Sequence, residues 1–158
     1  MNEINFTKRT SVEEVEEGVS FQPKFDDNGL IPVITVEFET NEILMHGYSN
    51  EKALKLSMQT KKAHYFSRSR KKLWKKGEKS GFYQNIMQIK IDDDQDCLIY
   101  FVSLEGEKAS CHVGYKSCFY RELAPKNDSF SVDLEYTEQE KVFEPQNVYG
   151  NIPNPTKL

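Results

Sequence analysis

Ile31-Pro32-Val33-Ile34-Thr35-Val36-Glu37-Phe38, then Thr40-Asn41-Glu42, then Ile43-Leu44-Met45-His46-Gly47-Tyr48: this stretch decides the fold class. Two runs rich in β-branched and aromatic residues flank a short polar turn, the pattern of a β-hairpin. Upstream, Asp26-Asp27-Asn28-Gly29 is a turn signal. Downstream, Ser49 or Asn50 is placed to cap a helix that carries Leu54 and Met58 one turn apart on its buried side. Ala63 to Ser67, Phe82 to Asp92 and Cys97 to Leu104 read as further strands, and Glu105-Gly106 turns the last of them into Lys108 to Val113. Near the N-terminus, Ser11 followed by Glu14 is a capping box. Val12, Val15 and Val19 give that short helix one apolar face, with Glu13, Glu14, Glu16 and Glu17 on its solvated side. The sum is an α+β chain, mainly antiparallel strands with one or two helices.

At 158 residues the chain suits one domain with a real core, or one subunit of a dimer. A net charge of -4 argues against a general nucleic-acid coat protein. No apolar run approaches the roughly eighteen residues that span a bilayer, so no membrane association is expected. Met1 to Thr10 lacks the apolar core of a secretion signal. Three cysteines in such a chain suit thiols or metal ligands better than disulfides, and a cytoplasmic location is expected. From Ala124 the sequence turns polar, and Pro145, Pro153 and Pro155 make its end a tail or a wrapping arm.

Asp92-Asp93-Asp94-Gln95-Asp96 puts four carboxylates into five residues, too many to bury unpaired. If Ile89 to Asp96 is extended, Asp92, Asp94 and Asp96 point one way and Asp93 the other. Three aligned carboxylates suit a hard cation such as Mg2+, and equally a solvated acidic turn. Cys111-His112-Val113-Gly114-Tyr115-Lys116-Ser117-Cys118 places two cysteines seven residues apart, with Gly114 available for a turn between them. Two thiolates plus one more ligand would leave an open position on zinc; two inert core cysteines are the other reading.

Arg68, Arg70, Lys71, Lys72, Lys75, Lys76 and Lys79 concentrate seven cations in twelve residues of an acidic chain. With Gly77, Gly81 and the hydroxyls of Ser67, Ser69 and Ser80, this loop has the donors to hold phosphate. A plain surface loop, or nucleic-acid binding with Tyr65, Phe66 and Trp74 as stacking platforms, also accounts for it.

Taken together, several stretches resemble the phosphoribosyl-AMP cyclohydrolases of histidine biosynthesis. They begin with Pro23-Lys24-Phe25-Asp26, Gly29-Leu30-Ile31, Glu42-Ile43-Leu44-Met45, Asn50-Glu51 and Ala53-Leu54. Ala63-His64-Tyr65-Phe66-Ser67-Arg68-Ser69-Arg70, Leu73-Trp74, Lys76-Gly77-Glu78, Ser80-Gly81 and Gln84 continue the series. The acidic segment and Cys111-His112, Gly114 and Ser117-Cys118-Phe119-Tyr120-Arg121 complete it, so the resemblance spans roughly residues 15–122. It implies an interlocked homodimer with active sites at the subunit interface. It divides the chain into an N-terminal helix or arm (1–20), a cyclohydrolase-like domain (21–122) and a C-terminal arm or tail (123–158). It also implies Mg2+ on Asp92, Asp94 and Asp96 and zinc on Cys111 and Cys118; the family's fusion to a following pyrophosphohydrolase domain is not expected, because too few residues remain after Arg121.

The family's third zinc ligand is a cysteine between the first two aspartates, where this chain has Asp93. Asp93 can itself hold zinc through oxygen. Cys97 lies four residues along, about 13 Å in an extended strand, too far for a direct exchange. Other departures are Lys61 for a glycine, Lys79 for a threonine, Phe82 for a frequent histidine, and Val113-Gly114-Tyr115-Lys116 for Thr-Gly-Arg-Arg. Lys116 and Lys79 are expected to restore part of the lost arginine charge.

The activity implied is opening of the N1–C6 bond in the adenine ring of phosphoribosyl-AMP. His112 and His64 are the candidate proton-transfer groups, with Arg68, Arg70, Lys76 and Ser80 on the substrate's phosphates; His46 reads as structural. The departures leave two rivals: a paralogue acting on another phosphorylated purine-like ring, and a catalytically silent nucleotide- or nucleic-acid-binding protein.

Overall fold

The computed structural model describes residues 4–156. Ser11 caps a single helical turn, α1 (Val12–Glu16), its hydroxyl accepting from the Glu14 N–H at 3.1 Å. The apolar valine face expected there does not form. Val15 alone is buried, whereas Val12 and Val19 are exposed, because the helix ends at Glu16 before a second turn can align them.

The hairpin is present. β1 (Leu30–Glu37) pairs antiparallel with β2 (Ile43–Asn50) in the register Ile31↔Ser49 to Thr35↔Met45. Asn41 takes the left-handed conformation in its turn, at φ 62. Asn50 rather than Ser49 caps α2 (Glu51–Thr60), accepting from the Ala53 N–H at 2.9 Å. A two-stranded ribbon follows, β3 (His64–Ser67) with β4 (Lys72–Lys75). β5 (Gln84–Ile91) and β6 (Leu98–Leu104) form a second antiparallel hairpin, and β6 inserts parallel against the free side of β1. The sheet order is thus β2-β1-β6-β5.

Alternate residues of β1 and β6, among them Ile31, Val33, Leu98, Tyr100 and Val102, point to one face and are almost fully buried. Leu44, Leu54 and Tyr65 close the core from β2, α2 and β3. Each such aliphatic side chain removed from water stabilises the fold by about 1.5–3 kcal/mol. The region read as a polar tail also has structure: a hairpin of β7 (Arg121–Lys126) and β8 (Ser129–Tyr136), then a one-turn helix, α3 (Pro145–Tyr149). β7 runs through residues 122 and 123, where the sequence suggested a division. Among the described residues no helix is long and apolar enough to cross a membrane.

Lys61, one of the departures, ends α2 with φ 53. A left-handed residue at a helix end favours glycine, since a Cβ there crowds the following carbonyl. Lys61→Gly is therefore expected to raise stability by about 0.5–1 kcal/mol, part of the relief being offset by glycine's unfolded-state entropy. A melting point raised by about 2–4 °C is the expected reading; a lowered one would refute the argument.

Candidate active site

Two cysteines meet at the edge of β2. The segment 110–117 closes on itself through Ser110 N–H to Lys116 O (2.8 Å), Cys111 N–H to Tyr115 O (3.2 Å) and Gly114 N–H to Cys111 O (3.2 Å). Gly114 allows this closure at φ 112, a conformation that side chains rarely adopt. The loop then docks on β2, with Cys118 N–H donating to Leu44 O at 2.7 Å and the Ser117 hydroxyl to Ile43 O at 2.8 Å. Cys111 is buried and Cys118 lies at the surface, their thiols close enough to influence each other's ionisation and not joined as a disulfide.

The nearby Cys118 thiol brings the Cys111 thiol down to about 6 against the opposing effect of burial, aided by the backbone N–H groups of Val113 and Tyr115 and by the Lys76 cation. The same pairing, with burial, raises Cys118. This donor set, two adjacent thiols with one readily ionised, fits two positions of a soft-metal site.

Lys76 was expected to reach for phosphate. Instead it is buried, with its ammonium donating to Ser110 O at 2.5 Å beside the thiols. Gly77 makes the sharp turn that takes the chain back under this lysine; a Cβ there would stand 2.5 Å from Tyr83 N. A chain of buried polar groups anchors the floor. Thr35 and Tyr65 hydroxyls bond at 2.7 Å, Tyr65 donates to Gln84 Oε1 at 2.7 Å, and Gln84 Nε2 donates to the Ser110 hydroxyl at 3.1 Å. Single buried polar residues in apolar strands gave no sign of this network in the sequence.

Ser110 borders a cavity of about 510 Å³, within the range of small-molecule sites, with Trp74, Lys76, Ser80, His112 and Cys118 also in its walls. His112 is half buried, and among the described residues its Nε2 has no hydrogen-bond partner. Burial lowers its pKa and Lys76 adds to that, while the nearby Asn154 side chain opposes both. A neighbouring cavity of about 360 Å³ shares Met45, Arg70 and Trp74 with the first and is walled by Ser67, Arg68 and Ser69. The Arg68 guanidinium lies 4.1 Å from the Tyr48 ring centre, and Arg70 Nε donates to the Ser67 hydroxyl at 3.2 Å. His46, read as structural, is exposed there with its ring edge-on to Tyr48.

His64 borders neither cavity. Its Nδ1 bonds to Lys62 O at 2.7 Å, its own N–H and C=O both meet the Ser57 hydroxyl, and burial lowers its pKa. This is the geometry of a structural imidazole.

The aspartates converge by a route other than strand alternation. β5 ends at Ile91, and residues 92–96 form a tight turn with Gln95 left-handed at φ 60. The buried Gln95 side chain holds that turn by accepting from Gln22 N–H (2.6 Å) and donating to Val15 O (2.9 Å). Asp92 Oδ1 accepts from the Asp96 and Cys97 N–H groups, both at 2.9 Å. Carboxylate oxygens of Asp92, Asp94 and Asp96 lie within 4.8 Å of one another, and the Lys24 ammonium stands 3.5 Å from Asp94 and 3.3 Å from Asp96. The set has the chemistry that a hard cation takes, with the Lys24 ammonium paired to two of its three carboxylates. Asp93 is exposed on this turn, and among the described residues it does not join the thiols as a third ligand.

Nor does the altered loop offer its charge to a phosphate. Lys116 donates to Glu37 at 2.7 Å and Glu42 at 2.6 Å. Burial would raise Glu37, but hydrogen bonds from Lys116 and Thr40 outweigh it and leave the carboxyl below its ordinary range. Tyr115 stacks on Tyr120 with ring centres 4.0 Å apart. Lys116 and Tyr115 thus brace the cysteine loop.

The family model for phosphoribosyl-AMP cyclohydrolase matches residues 45–120, which include the basic ribbon, the acidic turn and both loop cysteines. The phosphoribosyl-AMP cyclohydrolase of Methanoregula boonei is 50% identical over 127 residues, 80% of this chain and 94% of its own length. That of Rhizobium leguminosarum bv. trifolii is 45% identical over 136 residues, 86% of this chain and 89% of its own. The Nitrobacter winogradskyi protein of the same name is 41% identical over 139 residues, 88% and 94% of the two chains. With identities this high along most of both lengths, the chain belongs to the phosphoribosyl-AMP cyclohydrolase family.

Proposed function

We infer that this protein hydrolyses the N1–C6 bond of the adenine ring in phosphoribosyl-AMP, a step of histidine biosynthesis. The observation that carries the reading is the convergence of Cys118, with Cys111 behind it, and of His112, Trp74 and Ser80 on one cavity of about 510 Å³ in a chain of this family. Trp74, stacked on Tyr65 at 5.0 Å and with the Arg70 guanidinium 6.0 Å from its ring centre, borders both cavities and gives a purine an aromatic surface. The substrate carries two phosphates, and the two adjoining cavities suit that: Ser80 borders one, Arg68 with Ser67 and Ser69 the other, and Arg70 both. Zinc, when bound at Cys111 and Cys118, supplies Lewis acidity that brings the pKa of a water to about 7. His112, an imidazole in the wall of that cavity beside Cys111, takes the proton from the attacking water and returns it to the departing nitrogen. Asp92, Asp94 and Asp96 would hold Mg2+, with Lys24 giving way.

One chain brings two thiol ligands together. The homodimer that the family resemblance implies would let the acidic turn of a second copy supply Asp93 as the third. Exposed apolar residues on the free edge of β5 (Met87, Ile91) and on the β7–β8 hairpin (Phe130, Val132, Leu134) support such an assembly. A cytoplasmic location fits a soluble biosynthetic enzyme.

The test is turnover of phosphoribosyl-AMP, followed by ultraviolet absorbance with defined Zn2+ and Mg2+, beside Asp93→Cys. Robust turnover by the wild type is expected, with a variant that stays active and binds zinc at least about tenfold tighter, a thiolate being the softer ligand. No turnover by the wild type but gain in the variant would mean that the chemistry has moved to another substrate.

A further inference from the structure

We propose that residues 138–155 form a closing wall of the substrate cavity, in which Tyr149 contacts the substrate's phosphate and Asn154 positions His112. This rests on the function inferred above and adds to it residues outside the stretch that the family model matches.

The segment is attached to three parts of the site. At its start the Glu138 carboxylate accepts from the Lys116 and Ser117 N–H groups at 2.8 and 2.9 Å, bracing the cysteine loop one residue before Cys118. Val142 N–H then donates to Gly114 O at 2.7 Å. This contact needs a glycine, because a Cβ on Gly114 would come within 2.4 Å of Phe143 O. The Phe143 ring packs edge-on against buried Phe82, ring centres 5.0 Å apart. Phe82 is one of the departures from the family pattern, and here it is the apolar socket for this arm.

Beyond the anchor, Pro145 starts α3 and carries Tyr149 to the cavity, whose wall it shares with Ser80. Gly150 turns the chain back, and Pro153-Asn154-Pro155 line the cavity as well. Asn154, flanked by two residues of fixed φ and accepting from Thr156 N–H at 2.8 Å, lines the same cavity as His112. None of the residues of α3 is buried, so the arm is held by the site's own groups rather than by a core. A segment so held opens at low cost in free energy, which lets a nucleotide enter and lets the bound nucleotide favour closure.

The experiment uses the full-length protein and three variants, Phe143→Ala, Phe143→Tyr and Tyr149→Phe, with two readouts. In turnover of phosphoribosyl-AMP, Phe143→Ala is expected to raise KM about tenfold, the upper range of one aromatic edge contact, and to change kcat by less. Phe143→Tyr, which keeps the ring, should restore the wild-type KM, and Tyr149→Phe should raise KM about threefold, as loss of one neutral hydrogen bond predicts. In hydrogen exchange, AMP should increase amide protection across residues 141–155 of the wild type. KM values for Phe143→Ala and Tyr149→Phe that match an active wild type would overturn the proposal. If the wild type does not turn over the substrate, the inferred function fails, and AMP alone decides for the wall: protection of 141–155 sustains it, and unchanged exchange refutes it.

Discussion

Cys111→Ser is expected to reduce both zinc binding and turnover by more than about a hundredfold. Loss of a group that merely orients a metal ligand costs 10–100-fold in affinity or activity, and here a ligand itself is lost. The change in size is small, but the chemistry differs. A serine hydroxyl does not ionise near neutrality, whereas the Cys111 thiol, held at about 6 by Cys118 and neighbouring donors, does. The fold should survive, because the loop is closed by backbone bonds and by docking to β2 through Ser117 and Cys118. Metal content by elemental analysis, read beside a thermal melt, checks this. A variant that keeps its zinc and its full rate would remove Cys111 from the site.

His112→Asn is expected to lower kcat by about 10²–10⁴-fold, the range for loss of a positioned general base, while zinc content stays near that of wild type. The two variants separate the roles of adjacent residues: one removes the metal with the activity, the other the activity alone. Asparagine retains polarity at a buried position whose Nε2 has no partner among the described residues, so the fold is not asked to tolerate a void. Stopped-flow turnover with metal analysis on the same sample is the measurement. Equal kcat in variant and wild type would assign the proton transfer elsewhere, and His46 at the second cavity would then be the next histidine to replace.

Local signals in the chain carried the fold where the relevant physics is local. The β1–β2 hairpin and the cap of α2 depend on alternation and on a side chain three residues from its acceptor, both visible in a linear string. The meeting of Cys111 and Cys118 depends on one glycine between them. Long-range contacts were not legible. Lys76 looked like surface charge because nothing local marks the Ser110 carbonyl that holds it in the interior. The acidic run looked like a strand because the glutamine that folds it into a turn is fixed by partners about seventy residues earlier. The end of the chain looked like a tail because its polar residues pair with the site and bury little apolar surface.

The parallel seam between β1 and β6 has a kinetic consequence. Val33 pairs beside Leu98, so the central seam of the sheet waits until a loop of more than sixty residues has closed. Non-local pairing of this kind slows folding, since loop-closure entropy is lost before the contacts form. As the chain leaves the ribosome, the first hairpin and α2 can assemble early, but one whole edge of β1 stays bare until β6 has emerged. During that interval the strand is an open template for another nascent chain, and the yield of soluble protein should fall as synthesis outpaces closure.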